Sequence, residues 1–252
     1  MNIPLDQAWM EAVMLAAVRM TAFIVIAPPF SHNAFPLRIK GMLAVGLALA
    51  VAPRVTQGYQ VRDTGGFIAA LVLELVVGAA LGFLVYVIFA AVQSAGSLVD
   101  LFGGFQMAQA FDPQGMINGA QFTRLFQMTA LALLFASDGY QLVLGGLTRS
   151  FSAIPVGVGI NLAAPAQAMM AATSQMFLSA LQIGGPLLIV LFLADVGLGL
   201  LTRVAPALNA FSLGFPVKIF LTLALGGMVF TALPRVVSAL AGQAVNALMG
   251  VR

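Results

Sequence analysis

The apolar segments of this chain have the wrong lengths for a plain bundle of membrane spans, and that mismatch constrains any fold it can adopt. The stretch from Gly66 to about Leu101 far exceeds the ~20 residues needed to cross hydrocarbon, whereas Gly41 to Ala52 offers about twelve. A third run, about Pro165 to Leu201, lies in a region with no charged residue between Arg149 and Asp195. The remaining segments cover Ala8 to Ala27, Gln121 to Ala136 with a short stretch from Tyr140 to Leu147, and Val217 to Leu233 before Pro234. Gly184-Gly185-Pro186 breaks the Pro165–Leu201 run and predicts a kink. Irregular backbone at membrane depth has to be satisfied by protein or by a water-filled cavity. The chain is therefore expected to pack against other subunits rather than mainly against lipid.

Composition fixes the class. Hydrophobic residues make up 61% and charged residues 8% of the chain, where a soluble domain carries about 25% charged residues. An all-α, polytopic membrane-associated subunit with long, broken helices is expected. No stretch of ~50 residues has ordinary globular composition, so 1–252 reads as a single domain. The eleven basic and eight acidic residues are scattered singly, which leaves no footprint for nucleic acid. There is no cysteine, so disulfides, thiol catalysis and cysteine metal sites are excluded. The N-terminal stretch carries Asp6 and Glu11 before its first base, Arg19, and is expected to be mature sequence rather than a signal peptide. The bases are spread evenly among the loops, so they assign no orientation.

Polar side chains inside so apolar a chain are the candidate functional residues. Gln93, Ser97 and Asp100 follow i, i+4, i+7 and share one helix face, as do Gln175, Ser179 and Gln182. Such faces are costly against lipid and turn toward protein or water, as interhelical hydrogen bonds or as a pore lining. Arg19, Glu74 and Asp195 are isolated charges within or beside apolar segments. Each calls for a function or an ion pair, with Arg19–Glu74 one pairing, unless it lies outside the bilayer. Gly78 and Gly82 form a small-xxx-small pair, and Ala44, Ala48 and Ala52 form a row, at spacings that let helices approach closely.

Catalysis finds no support. His32 is the single histidine, with no second ligand for a metal and no defined nucleophile. No Walker motif occurs, and no catalytic, cofactor-binding or metal residue is assigned. The remaining oddity is the soft segment LFGGFQMAQAFDPQGMINGAQ (101–121), which is rich in glycine, glutamine and methionine.

Three blocks resemble the FliR family of flagellar type III export-gate proteins, a family homologous to the SctT proteins of virulence injectisomes. AGSLVDLFGGFQMAQAFDP (95–113) is similar to its AG…D…GF…A…DP core. SFSAIPVG (150–157) resembles its SF–x–x–(I/L)–P–(I/V)–G motif, and LLTRVAPALNAFSLGFPVKI (200–219) its R–x–x–P–x–L–N–x–F–x–x–GFP block. The blocks occur in order over nearly the whole chain. It departs at Gly139-Tyr140, where the family often has Gly-His, and at Ala207, where it often has Gln.

The resemblance implies a structural, pore-forming subunit of the export gate in the bacterial inner membrane, at the flagellar basal body. Its implied partners are FliP and FliQ, then FlhB and FlhA, and unfolded export substrates, with no cofactor. It also implies a FliP-like part at about 1–160 and a FliQ-like hairpin and tail at about 161–252. The loop matching 103–118 would be a pore plug. Gly103 and Gly104 would supply backbone freedom. Phe105, Met107, Phe111 and Met116 would fill the lumen, Gln106, Gln109 and Asn118 would satisfy backbone, and Asp112-Pro113 would lie within the loop. An injectisome homologue of the same gate is the near alternative. A small-molecule secondary transporter with Glu74 or Asp195 as its coupling carboxylate is the alternative from another class.

Overall fold

Seven α-helices are present among the described residues, and no strand. The computed structural model describes residues 6–105, 121–158, 163–205 and 210–250. The helices are α1 (Gln7–Ile26), α2 (Leu37–Val55), α3 (Thr64–Phe102), α4 (Gln121–Ala136), α5 (Gly139–Ala153), α6 (Ala163–Val204) and α7 (Ala210–Gly250). Four of them, α1, α3, α6 and α7, are long and apolar enough to cross a membrane, or five spans if α4 and α5 form one broken span.

Local chemistry sets the ends. The Asp6 carboxylate accepts from Trp9 N–H at 2.7 Å and caps α1, which stops before Pro28-Pro29 because proline has no N–H to continue the ladder. The second segment is longer than its apolar core: α2 has 19 residues and begins directly after Pro36. Its first turn carries Arg38 and Lys40, and the Lys40 ammonium is anchored by Ser31 O at 2.9 Å. The final helix also exceeds its apolar run, because α7 continues through Pro216 and Pro234 to Gly250. Val237, Leu240, Ala241, Ala244 and Leu248 are all buried there, at helical spacing. Helix α6 likewise continues through Gly184-Gly185-Pro186.

The chain divides into two compact units. One comprises Met1–Ile88, Leu134–Thr173 and Leu240–Arg252; the other comprises Phe89–Leu133 and Ser174–Ala239. In the first, α2 packs against α1 and buries Ala44, Ala48 and Ala52. Helix α3 meets α1 backbone to backbone. A Cβ on Gly78 would collide with Arg19 O and lie 2.9 Å from Ala22 Cβ, and one on Gly82 would lie 3.0 Å from Phe23 O. The small-xxx-small pair is thus the seat of α1 on α3. In the second unit, rings of Phe105, Phe122, Phe126 and Phe230 meet edge to face in succession, with centroids 5.2, 6.1 and 5.3 Å apart.

A methyl group added at Gly78 has nowhere to go, because its nearest neighbour is the backbone carbonyl of Arg19. Gly78→Ala is expected to lower stability by about 1–3 kcal/mol. Gly41→Ala, which meets nothing within 4 Å, is expected to be neutral or slightly stabilising. Thermal unfolding of both variants in detergent checks the contrast; equal midpoints would dissolve it.

Candidate functional site

The polar residues of the first unit converge on one buried ion pair. Arg19 and Glu74 have side chains 0% and 1% exposed, and they are joined Nε to Oε2 at 2.5 Å and Nη2 to Oε1 at 3.0 Å. That two-point geometry is the strong form of a carboxylate–guanidinium contact. The spare donor, Arg19 Nη1, goes to Ile154 O at 2.9 Å, and Glu74 Oε1 also accepts from Gly157 N–H at 2.8 Å. The guanidinium carbon lies 4.3 Å from the centroid of Phe151. All three groups that complete the pair, Phe151, Ile154 and Gly157, are therefore residues of the SFSAIPVG motif. Gly157 has φ +74°, a conformation that glycine adopts without strain, and a Cβ there would lie 2.9 Å from Arg62 Nη2.

Above this pair, the α2–α3 loop is tied to α1. Glu11 accepts from Tyr59 O–H at 3.1 Å and from Arg62 N–H at 3.3 Å. Burial, and then the bond to Glu11, push the Tyr59 hydroxyl above its ordinary range, so it stays a donor. Arg54, Tyr59, Arg62, Phe151 and Pro155 line a cavity of about 370 Å³.

In the second unit, the carboxylate of Asp100 is fully buried. It accepts from Phe122 N–H at 2.9 Å, Thr123 N–H at 2.8 Å and Thr123 O–H at 2.7 Å. Asp195 pairs with Lys218 at 2.5 Å, half-exposed, across α6 and α7.

The remaining sequence-derived residues fall as follows. Gln93 is half-buried and Ser97 exposed, so the face they share with Asp100 is not uniformly enclosed. Ser179 is buried while Gln175 and Gln182 are exposed. Gly103, Gly104 and Phe105 form the turn that follows α3. Gln106, Met107, Gln109, Phe111, Asp112, Pro113, Met116 and Asn118 lie outside the described residues. His32 Nδ1 accepts from Ala34 N–H at 3.2 Å, a local turn contact. Among the described residues no group of three acidic, histidine or cysteine side chains could hold a metal. The roles of Ile154 and Gly157 were not visible as site residues in the sequence; the glycine that ends the SFSAIPVG motif was the available signal.

Residues 10–244 match the family model described as bacterial export proteins, family 1. The chain belongs to that family. Members similar to it include the flagellar biosynthetic protein FliR of Escherichia coli (strain K12), 32% identical over 227 residues that cover 90% of this chain and 85% of that protein. The FliR of Bacillus subtilis (strain 168) is 31% identical, covering 82% of each chain. The Yop proteins translocation protein T of Yersinia pestis is 30% identical, covering 79% of this chain and 78% of its own. Both branches of this bacterial export family, flagellar and injectisome, are thus similar over most of the sequence, in keeping with the resemblance carried by the three blocks.

Removing one partner of the buried pair leaves an uncompensated charge. Arg19→Met and Glu74→Leu are each expected to cost about 3–5 kcal/mol, whereas the double variant should lose much less than their sum. A double-mutant cycle by thermal unfolding in detergent measures the coupling. Additive losses would mean that the two side chains do not act as a pair.

Proposed function

We propose that this chain is a structural, pore-forming subunit of the flagellar type III protein export gate in the inner membrane, assembled with FliP- and FliQ-type subunits. Membership of an export-apparatus family and four apolar span candidates support the setting. The observation that carries the reading is the uncovered surface of α6. Large apolar side chains stand exposed along it from Met170 to Val204, about 50 Å apart at ~1.5 Å per residue. Hydrocarbon is ~30 Å thick, and the usual ~20° tilt adds little reach. Lipid covers only part of such a stripe, so the rest is expected to lie against protein. The span windows of α6 and α7 are 11% and 17% buried within the chain, against 50% and 56% for α1 and α3.

On this reading the FliQ-like hairpin and tail occupy about 161–252, and the FliP-like part about 1–160. FlhB and FlhA would bind the finished gate. Gln93 and Ser97 on α3 and Gln175 and Gln182 on α6 face subunit contacts, whereas Asp100 and Ser179 are buried within the chain, and 103–118 closes the pore until an unfolded substrate displaces it. The role is non-enzymatic. A coupling-ion carboxylate gains no support, because Glu74 is saturated by Arg19 and Gly157, and Asp195 is engaged by Lys218.

In-frame removal of the gene is expected to abolish export of hook and filament proteins, with recovery from a plasmid copy. Intact flagella with lost effector secretion would place the chain in an injectisome instead. Deleting 106–116 is expected to raise ion leak through the assembled gate while assembly persists; an unchanged leak in an assembled gate would refute the plug.

A further inference from the structure

The cleft of about 370 Å³ in the first unit carries charge of one sign only. Arg54 and Arg62 stand on it with the amides of Gln57 and Gln60, and no acidic side chain lines it. Neither guanidinium is in an ion pair among the described residues. The two acids close by are committed elsewhere. Glu11 accepts from the Gln7 amide, Tyr59 O–H and Arg62 N–H at 2.9, 3.1 and 3.3 Å. Asp63 is turned to the start of α3, where a Cβ on Gly65 or Gly66 would lie 3.3 or 2.7 Å from its carboxylate oxygens.

Arg62 is seated rather than free to sweep solvent. Its backbone N–H is held by Glu11, and its guanidinium lies over Gly157. A Cβ on Gly157 would lie 2.9, 3.1 and 3.2 Å from Arg62 Nη2, Cζ and Nε. Three atoms of the planar group at nearly equal distance place its face on the glycine, which leaves the N–H edge to meet a ligand in plane. Gly157 is itself fixed, because its N–H donates to Glu74.

The cleft also sits at one level along the helices. Through Glu11, Tyr59 and Arg62 it gathers the early part of α1, the end of α2 and the start of α3. Exposed apolar stripes run away from this level on two of these helices. Leu49, Val45 and Met42 share a face of α2 leading from Arg54, and Ile68, Val72 and Leu75 share a face of α3 leading from Arg62. Leu75 is eleven residues beyond Thr64, about 16 Å at ~1.5 Å per residue. One leaflet of a ~30 Å hydrocarbon layer has about that depth. Arginines with a tyrosine beside them, above stripes of that length, mark the headgroup level of a bilayer.

We propose that this cleft binds the phosphodiester of a net-anionic phospholipid, Arg54 and Arg62 donating to its oxygens while its acyl chains follow the exposed faces that begin there. A planar guanidinium matches two phosphate oxygens at once. With no carboxylate on the lining to pair an ammonium, a headgroup lacking one is favoured over a zwitterionic headgroup, and the Gln57 and Gln60 amides can meet its hydroxyls. Such a site needs only a chain that lies in a membrane, and it stands whether or not the export-gate reading holds.

The test uses the full chain in detergent, with bound lipid counted by native mass spectrometry during titration with phosphatidylglycerol or phosphatidylcholine. The parent should hold one phosphatidylglycerol on the order of tenfold more tightly than phosphatidylcholine, the scale of a few hydrogen bonds to a charged group at a partly exposed site. Arg54→Gln combined with Arg62→Gln should erase that preference, and each single variant should lose part of it. The single variants therefore decide the matter even where the double variant folds poorly. Arg38→Gln removes an equal charge at the other end of α2, from an exposed position, and should keep the preference. Equal binding of the two lipids by the parent, or an equal loss in Arg38→Gln, would overturn the proposal. Glycerol phosphate binding as tightly as the lipid would make the cleft a site for free anions, and tighter binding of a tetraglutamate peptide would make it a protein contact; either result overturns the lipid assignment.

Discussion

A guanidinium with no exposure to solvent has to be satisfied on every side, and the first unit is arranged around meeting that demand for Arg19. Glu74 neutralises it from α3, Ile154 O takes its free N–H, and Phe151 presents a ring face. Glu74 in turn is completed by Gly157 N–H. Four segments are therefore fixed by one pair: α1, α3, the end of α5 and the turn that follows. The pair is possible only because Gly78 and Gly82 let α1 and α3 touch. Burial of such a pair is not a strong source of net stability. Its value lies in specifying one arrangement among helices whose apolar faces would otherwise slide.

The second unit repeats the device with a different chemistry. Asp100 has no buried cation beside it in its hydrogen-bond set; its partners are the N–H groups of a helix start and one hydroxyl. Glycine again sets the distance, here Gly96 against Phe122 and Thr123. In both units a buried carboxylate organises backbone that belongs to another segment, and a glycine on α3 makes the contact close enough. Helix α3 supplies both carboxylates and all three glycines, and its 39 residues contribute to both units.

Much of this was legible in the sequence. Helical class, the span-forming runs and the α4 boundaries at Gln121 and Ala136 follow from apolar periodicity and its breaks. The Gly78/Gly82 spacing announced a close helix contact. What stayed hidden depends on long-range partners. Arg19 and Glu74 are 55 residues apart, and nothing local shows whether each finds the other, water or lipid. The extent of α2 was underestimated because apolar content, rather than helix chemistry, marked its ends. The extension of α7 past Pro234 was missed for the opposite reason: proline was read as a stop, although the buried spacing from Val237 to Leu248 continues the helix. Asp100 was legible as polar and as part of a stripe, but its use as the acceptor for the first turn of α4 required knowing that Gly96 brings α4 alongside.

The long exposed apolar surfaces of α6 and α7 have to be covered by lipid or by protein, and the proposed gate role rests on protein covering part of them. The most direct measurement is native mass spectrometry of the chain purified after co-expression with FliP- and FliQ-type proteins of the same organism, repeated with the chain expressed alone. The account predicts a stable hetero-oligomer containing all three proteins, with α6 and α7 protected from hydrogen exchange only in that complex. A monodisperse chain that binds neither neighbour, with α6 and α7 equally protected when alone, would contradict it.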